Sequence, residues 1–220
     1  MRPRPSFLVG LFVVVMSAVA PCKGADVPED GPVGRPMMRQ LGPGGGASAV
    51  PTSQDIALAR PELRRRFREP LSHAASSAGA TQAAEVLLAA AATETDRTLR
   101  WLMIDEARRL GESAGQAGIV TRAITAASAA YDFDTTEAEL RALKQIPLRG
   151  LDASRAAGVA LAAERVAARA AADSRPDQSV AAEMLAYRAW QRAGNIAAAR
   201  RAAERHDAAL TGRNAEANSP

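Results

Sequence analysis

The 220-residue sequence is poor in the groups from which most chemical sites are built. Its single cysteine, Cys22, leaves no partner for an internal disulfide. Its two histidines, His73 and His206, have no Cys, His or properly spaced carboxylate beside them to complete a metal site. Lysine is nearly missing, because Arg supplies 26 of the 28 basic residues. The longest apolar run, Phe7 to Val19, falls short of the roughly 20 residues that a helical membrane span needs. These absences exclude a disulfide-rich scaffold and a multi-span membrane protein. No Gly-x-Ser-x-Gly, phosphate loop or dinucleotide fingerprint occurs, and Gly44-Gly45-Gly46 is not followed by a lysine.

Aromatic residues make up only 4% of the chain, and alanine takes their place with 52 residues. Alanine is the strongest helix former and a poor strand former, so an all-α fold is expected. The formal charge is +4, which points toward nucleic acid until the charges are located. Arg2, Arg4 and Lys23 carry three of the four, and residues 82–210 sum to zero. A neutral body exerts little long-range pull on phosphate, so no nucleic-acid partner is expected.

Residues 1–25 read as a signal peptide. Arg2 and Arg4 precede the apolar run, and small residues follow it. Ala18-Val19-Ala20 and Cys22-Lys23-Gly24 offer two cleavage points. The expected location is outside the cytoplasm: periplasmic, cell-surface or secreted, with no span left in the mature chain. Two readings of Cys22 stand. It is lost with the signal or left as a free thiol, or it is the lipid-modified first residue of a lipoprotein. Pro21 occupies the position where that modification wants Gly or Ala. Residues 26–53, with Pro28, Pro32, Pro36, Pro43 and Pro51 among glycines, read as a disordered linker. Within it, Met37-Met38 and Leu41 are a candidate docking motif.

Residues 54–210 have helical texture, and 211–220 read as a disordered tail. Pro61 suits the first turn of a helix holding Leu63 and Phe67. Pro70 is expected to break it. Thr81 to Ala92 forms the next helix. Asp96 is the expected N-cap of another that runs to Ala114, with Leu99, Leu102, Met103 and Leu110 as its stripe. After the turn Gly115 to Gly118, Val120, Ile124, Ala127 and Tyr131 stand at helical spacing. They are expected to face the helix ending at Ala114. Asp134 to Glu137 has capping-box spacing, and Pro147 ends the short helix of Leu140, Leu143 and Ile146. A long helix over 152–172 buries Val159, Ala163, Val166 and Ala170. Pro176 opens a helix to Ala193, Gly194-Asn195 turns, and Ile196, Ala199, Ala203 and Leu210 share the face of the last helix.

Ala107, Ala114 and Gly115 recur as Ala186, Ala193 and Gly194, 79 residues on. Each time a helix ends in Ala-Gly and a short loop forces an antiparallel neighbour. The expected architecture is an array of antiparallel helical hairpins, although the strict 34-residue tetratricopeptide period is absent. A family resemblance follows from particular residues. They are Glu62-Leu63 through Phe67, Leu87-Leu88, Thr93 to Asp96, Leu102, Glu106-Ala107-Arg108, Leu110 and Ala114-Gly115. They continue with Arg122-Ala123-Ile124, Tyr131-Asp132-Phe133-Asp134 and Leu143-Lys144. In their order and spacing, residues 60–146 resemble an all-helical, tetratricopeptide-like module of planctomycete-type bacteria, found in exported and multidomain proteins. Trp101 stands where that pattern has Tyr, and Gln116 where it has Asp. The resemblance implies a fold and a bacterial source. It implies no catalytic motif.

The remaining candidates for chemistry have structural readings beside them. Asp132 and Asp134 flank Phe133 and suit turn and capping roles better than a cation site, which needs more oxygen ligands. Asp105-Glu106 beside Arg108-Arg109 reads as a helix face with local ion pairs. Arg64-Arg65-Arg66 and Arg68 form the one basic cluster, but successive helical residues point about 100° apart and so do not make one patch. Trp101 and Trp190 read as the large knobs of an Ala-rich core. No catalytic, cofactor-binding or metal residue is assigned, and no cofactor is expected. The function expected is protein binding or scaffolding by an exported helical-repeat-like module, in the groove between hairpins lined by small residues. The alternatives are an accessory protein anchored at Cys22 and an enzyme with a scattered site.

Overall fold

The computed structural model describes residues 48–217, with side chains through Asn214. The signal reading of 1–25, Cys22, Met37-Met38 and Leu41 lie outside the described residues. Among the described residues the fold is all-α, with nine helices and one two-residue strand pair. In chain order these are β1 (Ser48–Ala49), α1 (Ser53–Arg66), α2 (Arg68–Ser72), α3 (Ser77–Thr93), α4 (Arg97–Ala114), α5 (Ala117–Ser128), β2 (Tyr131–Asp132), α6 (Thr135–Gln145), α7 (Ala153–Ala172), α8 (Pro176–Arg192) and α9 (Ile196–Ala217). A short 3-10 turn, Leu148–Gly150, joins α6 to α7. Helices adjacent in sequence pack on one another as antiparallel hairpins, chiefly α3 on α4, α4 on α5, α7 on α8 and α8 on α9.

Capping residues set most helix starts. The Asp96 side chain accepts from the Leu99 N–H at 2.9 Å, Asp134 from Glu137 at 2.9 Å, and Asp152 from Arg155 at 2.8 Å. Three helix ends share one closure. After α4, α7 and α8 the chain turns left-handed at Gly115 (φ 71°), Ser174 (φ 55°) and Gly194 (φ 73°). At each, the next N–H reaches back five residues: Gln116 to Gly111, Arg175 to Ala170, and Asn195 to Trp190. The two glycine turns match the 79-residue recurrence. Ser174 has no glycine to announce it.

Several boundaries differ from expectation. α1 starts at Ser53, eight residues before Pro61, because Thr52 and Asp55 form a reciprocal capping box. Pro61 therefore lies inside the helix. The break that follows falls at Phe67, ahead of Pro70. α3 starts at Ser77, where Ser76 caps the Gly79 N–H at 3.0 Å. Of the residues expected to be linker, Ser48 and Ala49 form β1 and Ser53 opens α1. The tail expected from 211 is helical to Ala217. Ile196 is 73% exposed, and the inward face of α9 is Ala198, Ala199 and Ala202. Ile196 is the first residue of that helix, before its packed face begins.

Two apolar cores share α5 as their partition. The first gathers Leu63, Leu87, Leu99, Leu102, Met103 and Leu110, with Ile119, Ala123 and Ala127 from one side of α5. The second gathers Leu140, Leu143, Val159, Val166 and Trp190, with Ala117, Val120 and Ile124 from its other side. The single stripe expected for α5 is therefore split. Ala127 and Tyr131 belong to the first core. Val120 and Ile124 belong to the second. A wide apolar face lets α5 pack against both, while Arg122 and Thr125 stay exposed.

Candidate functional site

A groove of about 620 Å³ lies between α4 and α6. Its floor comes from α5 through Ala123, Ile124 and Ala127, and its walls add Ile104, Ala138 and Ala142. Small side chains leave the space that larger ones would fill. Trp101, Phe133 and Val50 close one end. Trp101 meets Tyr131 edge-on at 4.9 Å and Phe133 at 6.0 Å. Tyr131 is buried, and its hydroxyl donates to the Arg97 carbonyl. Burial pushes its phenol above the usual range.

The rim is charged, but its charges are engaged with each other. Asp105 accepts from Arg108 at 2.7 Å and from Arg109 at 3.1 Å. Arg108 also pairs with Glu112. Desolvation pushes the Glu112 carboxyl up, against the pull of Arg108. Across the groove, Glu137 pairs with Arg141, and Asp134 pairs with Arg175. The Glu137 N–H and Arg175 hold the Asp134 carboxyl below its usual range. Ion pairs within one helix face are worth tenths of a kcal/mol and leave little net field over the groove.

The structure brings some of the sequence candidates together here and disperses the rest. Trp101, Asp105, Arg108, Arg109 and Asp134 line the groove. Trp101 is thus half core and half groove wall. Trp190 is buried in the second core, and its indole N–H donates to Glu164 at 3.0 Å. Asp132 lies in β2 with an exposed side chain. His73 follows α2, with its Nδ1 3.0 Å from the Glu69 carbonyl. His206 is half-buried on α9, with its Nδ1 3.3 Å from Asp207. Of the basic cluster, Arg65 and Arg66 pair with Glu62, and Arg66 also reaches Glu94 at 2.9 Å. These arginines hold the Glu62 carboxyl down at about 2. Among the described residues, no group of three or more His, Cys, Asp or Glu side chains is placed to hold a metal ion. No helix among them is long and apolar enough to cross a membrane.

Sequence reasoning missed two polar networks that fix the scaffold. Glu139 is 3% exposed. It accepts from Thr121 at 2.8 Å and pairs with Arg169, which donates to Thr136 at 3.0 Å. Arg205 of α9 bridges to Glu183 at 2.8 Å and to Glu164 at 2.5 Å. The first had a readable sign, because Thr136 and Glu139 share the face of Leu140 and Leu143 on α6. No family model, curated protein or solved structure matches the chain.

Proposed function

We propose that the protein is an exported, non-catalytic scaffold that binds a protein segment in the groove between α4 and α6. The observation that carries this reading is the groove itself: a floor of alanines and isoleucine, an aromatic end, and a rim whose charges neutralise one another. Such a surface suits uncharged side chains, and it has no field to draw phosphate. The apolar run behind Arg2 and Arg4 supports export. Intact mass of the native chain should show a start between Pro21 and Asp26 without lipid, and a retained Met1 contradicts export with cleavage.

Binding is tested with peptides selected from a random library on the full chain. Ala138 is half-buried on the groove wall, so Ala138→Trp fills the groove without entering a core. The selected peptides should lose at least about tenfold in affinity for that variant, the value of a bulky side chain in a filled pocket. Unchanged affinity overturns the reading.

A further inference from the structure

The aromatic end of the groove already has an occupant. Ser48 to Val50 crosses it as extended chain, with Ser48 opposite Tyr131 and Ala49 opposite Asp132 in parallel register. The Ser48 N–H donates to the Ala130 carbonyl at 3.0 Å, and Val50 lines the groove. The two sides of this contact are unequally held. On the receiving side Tyr131 is buried, stacked edge-on against Trp101 and hydrogen-bonded to Arg97. On the donating side the ladder is two residues long, Ala49 is exposed, and Ser48 and Val50 are half-buried. Pro51 has no N–H with which to extend the pairing. The next fixed point, the capping box of Thr52 and Asp55, belongs to α1 and does not depend on the strand. Segments with few buried contacts open at low free energy.

We infer that β2 and the aromatic end of the groove form an acceptor site for an extended peptide with the pattern small, small, β-branched. Ser48–Val50 is the resident occupant, and a partner's segment of the same chemistry displaces it. The register supplies the backbone bonds, and the pocket beside Trp101 and Phe133 selects the third side chain. Ser48 to Thr52 carries no charge, which matches a rim whose carboxylates and guanidinium groups are already paired. The inference rests on the groove being the binding surface.

The test uses the full chain and an acetylated, amidated Ser-Ala-Val-Pro-Thr peptide, followed by Trp101 fluorescence. Val50→Gly removes the resident side chain, and Ser48→Pro removes its N–H donor. Val50 packs on the edge of the first core without being one of its buried members, so circular dichroism checks that both variants fold. A resident strand lowers apparent affinity by the fraction of time it is bound. Each variant should therefore bind the peptide at least about tenfold more tightly than the wild type, and equally well in about 0.5 M salt, which screens exposed charges. A peptide with Asp in place of Val should not bind. Equal affinities for all three chains overturn the inference, as does no binding to Val50→Gly. A wild-type dimer that Val50→Gly abolishes also overturns it, because a second copy's strand is then the occupant. If these peptides fail while library peptides still respond to Ala138→Trp, the strand site falls and the groove reading stands.

Discussion

Gly115 and Gly194 end their helices with the same left-handed backbone, at φ 71° and 73°. Their surroundings differ. A Cβ built on Gly115 would stand 2.2 Å from the Leu151 side chain, and one on Gly194 meets nothing within 4 Å. The first turn sits where the two halves of the helical body join. There Arg155 of α7 donates to Ser77 of α3 at 2.8 Å and to the Ala114 carbonyl at 3.3 Å. The second turn faces open space. One local device, repeated 79 residues apart, therefore serves as a junction in one half and as a plain corner in the other. The cores differ in the same sense. The first half packs Leu, Met and Ile around α4, and the second packs Ala and Val around α7. After α5 a further helix, α6, walls the groove and sends Leu140 and Leu143 into the second core. After α8, α9 is the last helix described.

The largest effect is expected where the halves share a helix. Ile124 is 3% exposed on the second-core side of α5. Ile124→Asp places an unpaired carboxylate there and should cost about 3 kcal/mol or more. Urea unfolding of the full chain measures it, and a loss below about 1 kcal/mol would break the partition assigned to α5. The glycine pair comes next. Gly115→Ala should cost about 2–3 kcal/mol, from left-handed strain and crowding together. Gly194→Ala should cost about 1 kcal/mol, from strain alone. Equal costs in paired denaturation curves would remove the distinction between junction and corner.

A smaller effect is expected at the groove. Asp134→Ala removes the cap of α6 and should cost about 1 kcal/mol at neutral pH. The folded-state pKa of Asp134 is lowered from its ordinary 3.8. Its contribution is therefore present above that value and is lost as pH falls through the folded-state value. The gap between wild type and variant should close in acid, and a gap that widens there contradicts the cap. The smallest effect belongs to Arg122, whose pair with Glu85 is half-exposed on both sides. Arg122→Glu should stay within about 0.5–1 kcal/mol by the same denaturation assay.

The fold was legible where one local rule decided each residue. Asp96, Pro176 and the two turn glycines announce boundaries by capping or by backbone freedom, and the structure has them at those boundaries. Ser174 was not legible, because a non-glycine residue turns left-handed there only in the setting of its packed neighbours. The face of Ile124 was not legible either. Helical periodicity says that Val120 and Ile124 are inside. It does not say which of two cores they enter. Of the groove, Trp101, Asp105, Arg108, Arg109 and Asp134 could be singled out in the sequence. Val50 could not, because its place depends on Ser48 and Ala49 pairing with residues 131 and 132, far along the chain.

The most direct test uses the internal repeat as its own control. Arg109 lies on the rim of the groove, and Arg188 is its counterpart 79 residues on, exposed on α8. A photo-crosslinking amino acid placed at either site in the native cell reports what touches that face. The account predicts a discrete protein adduct from position 109 that Ala138→Trp abolishes, and none from position 188. Equal adducts from both positions, or an adduct at 109 that survives Ala138→Trp, would contradict it.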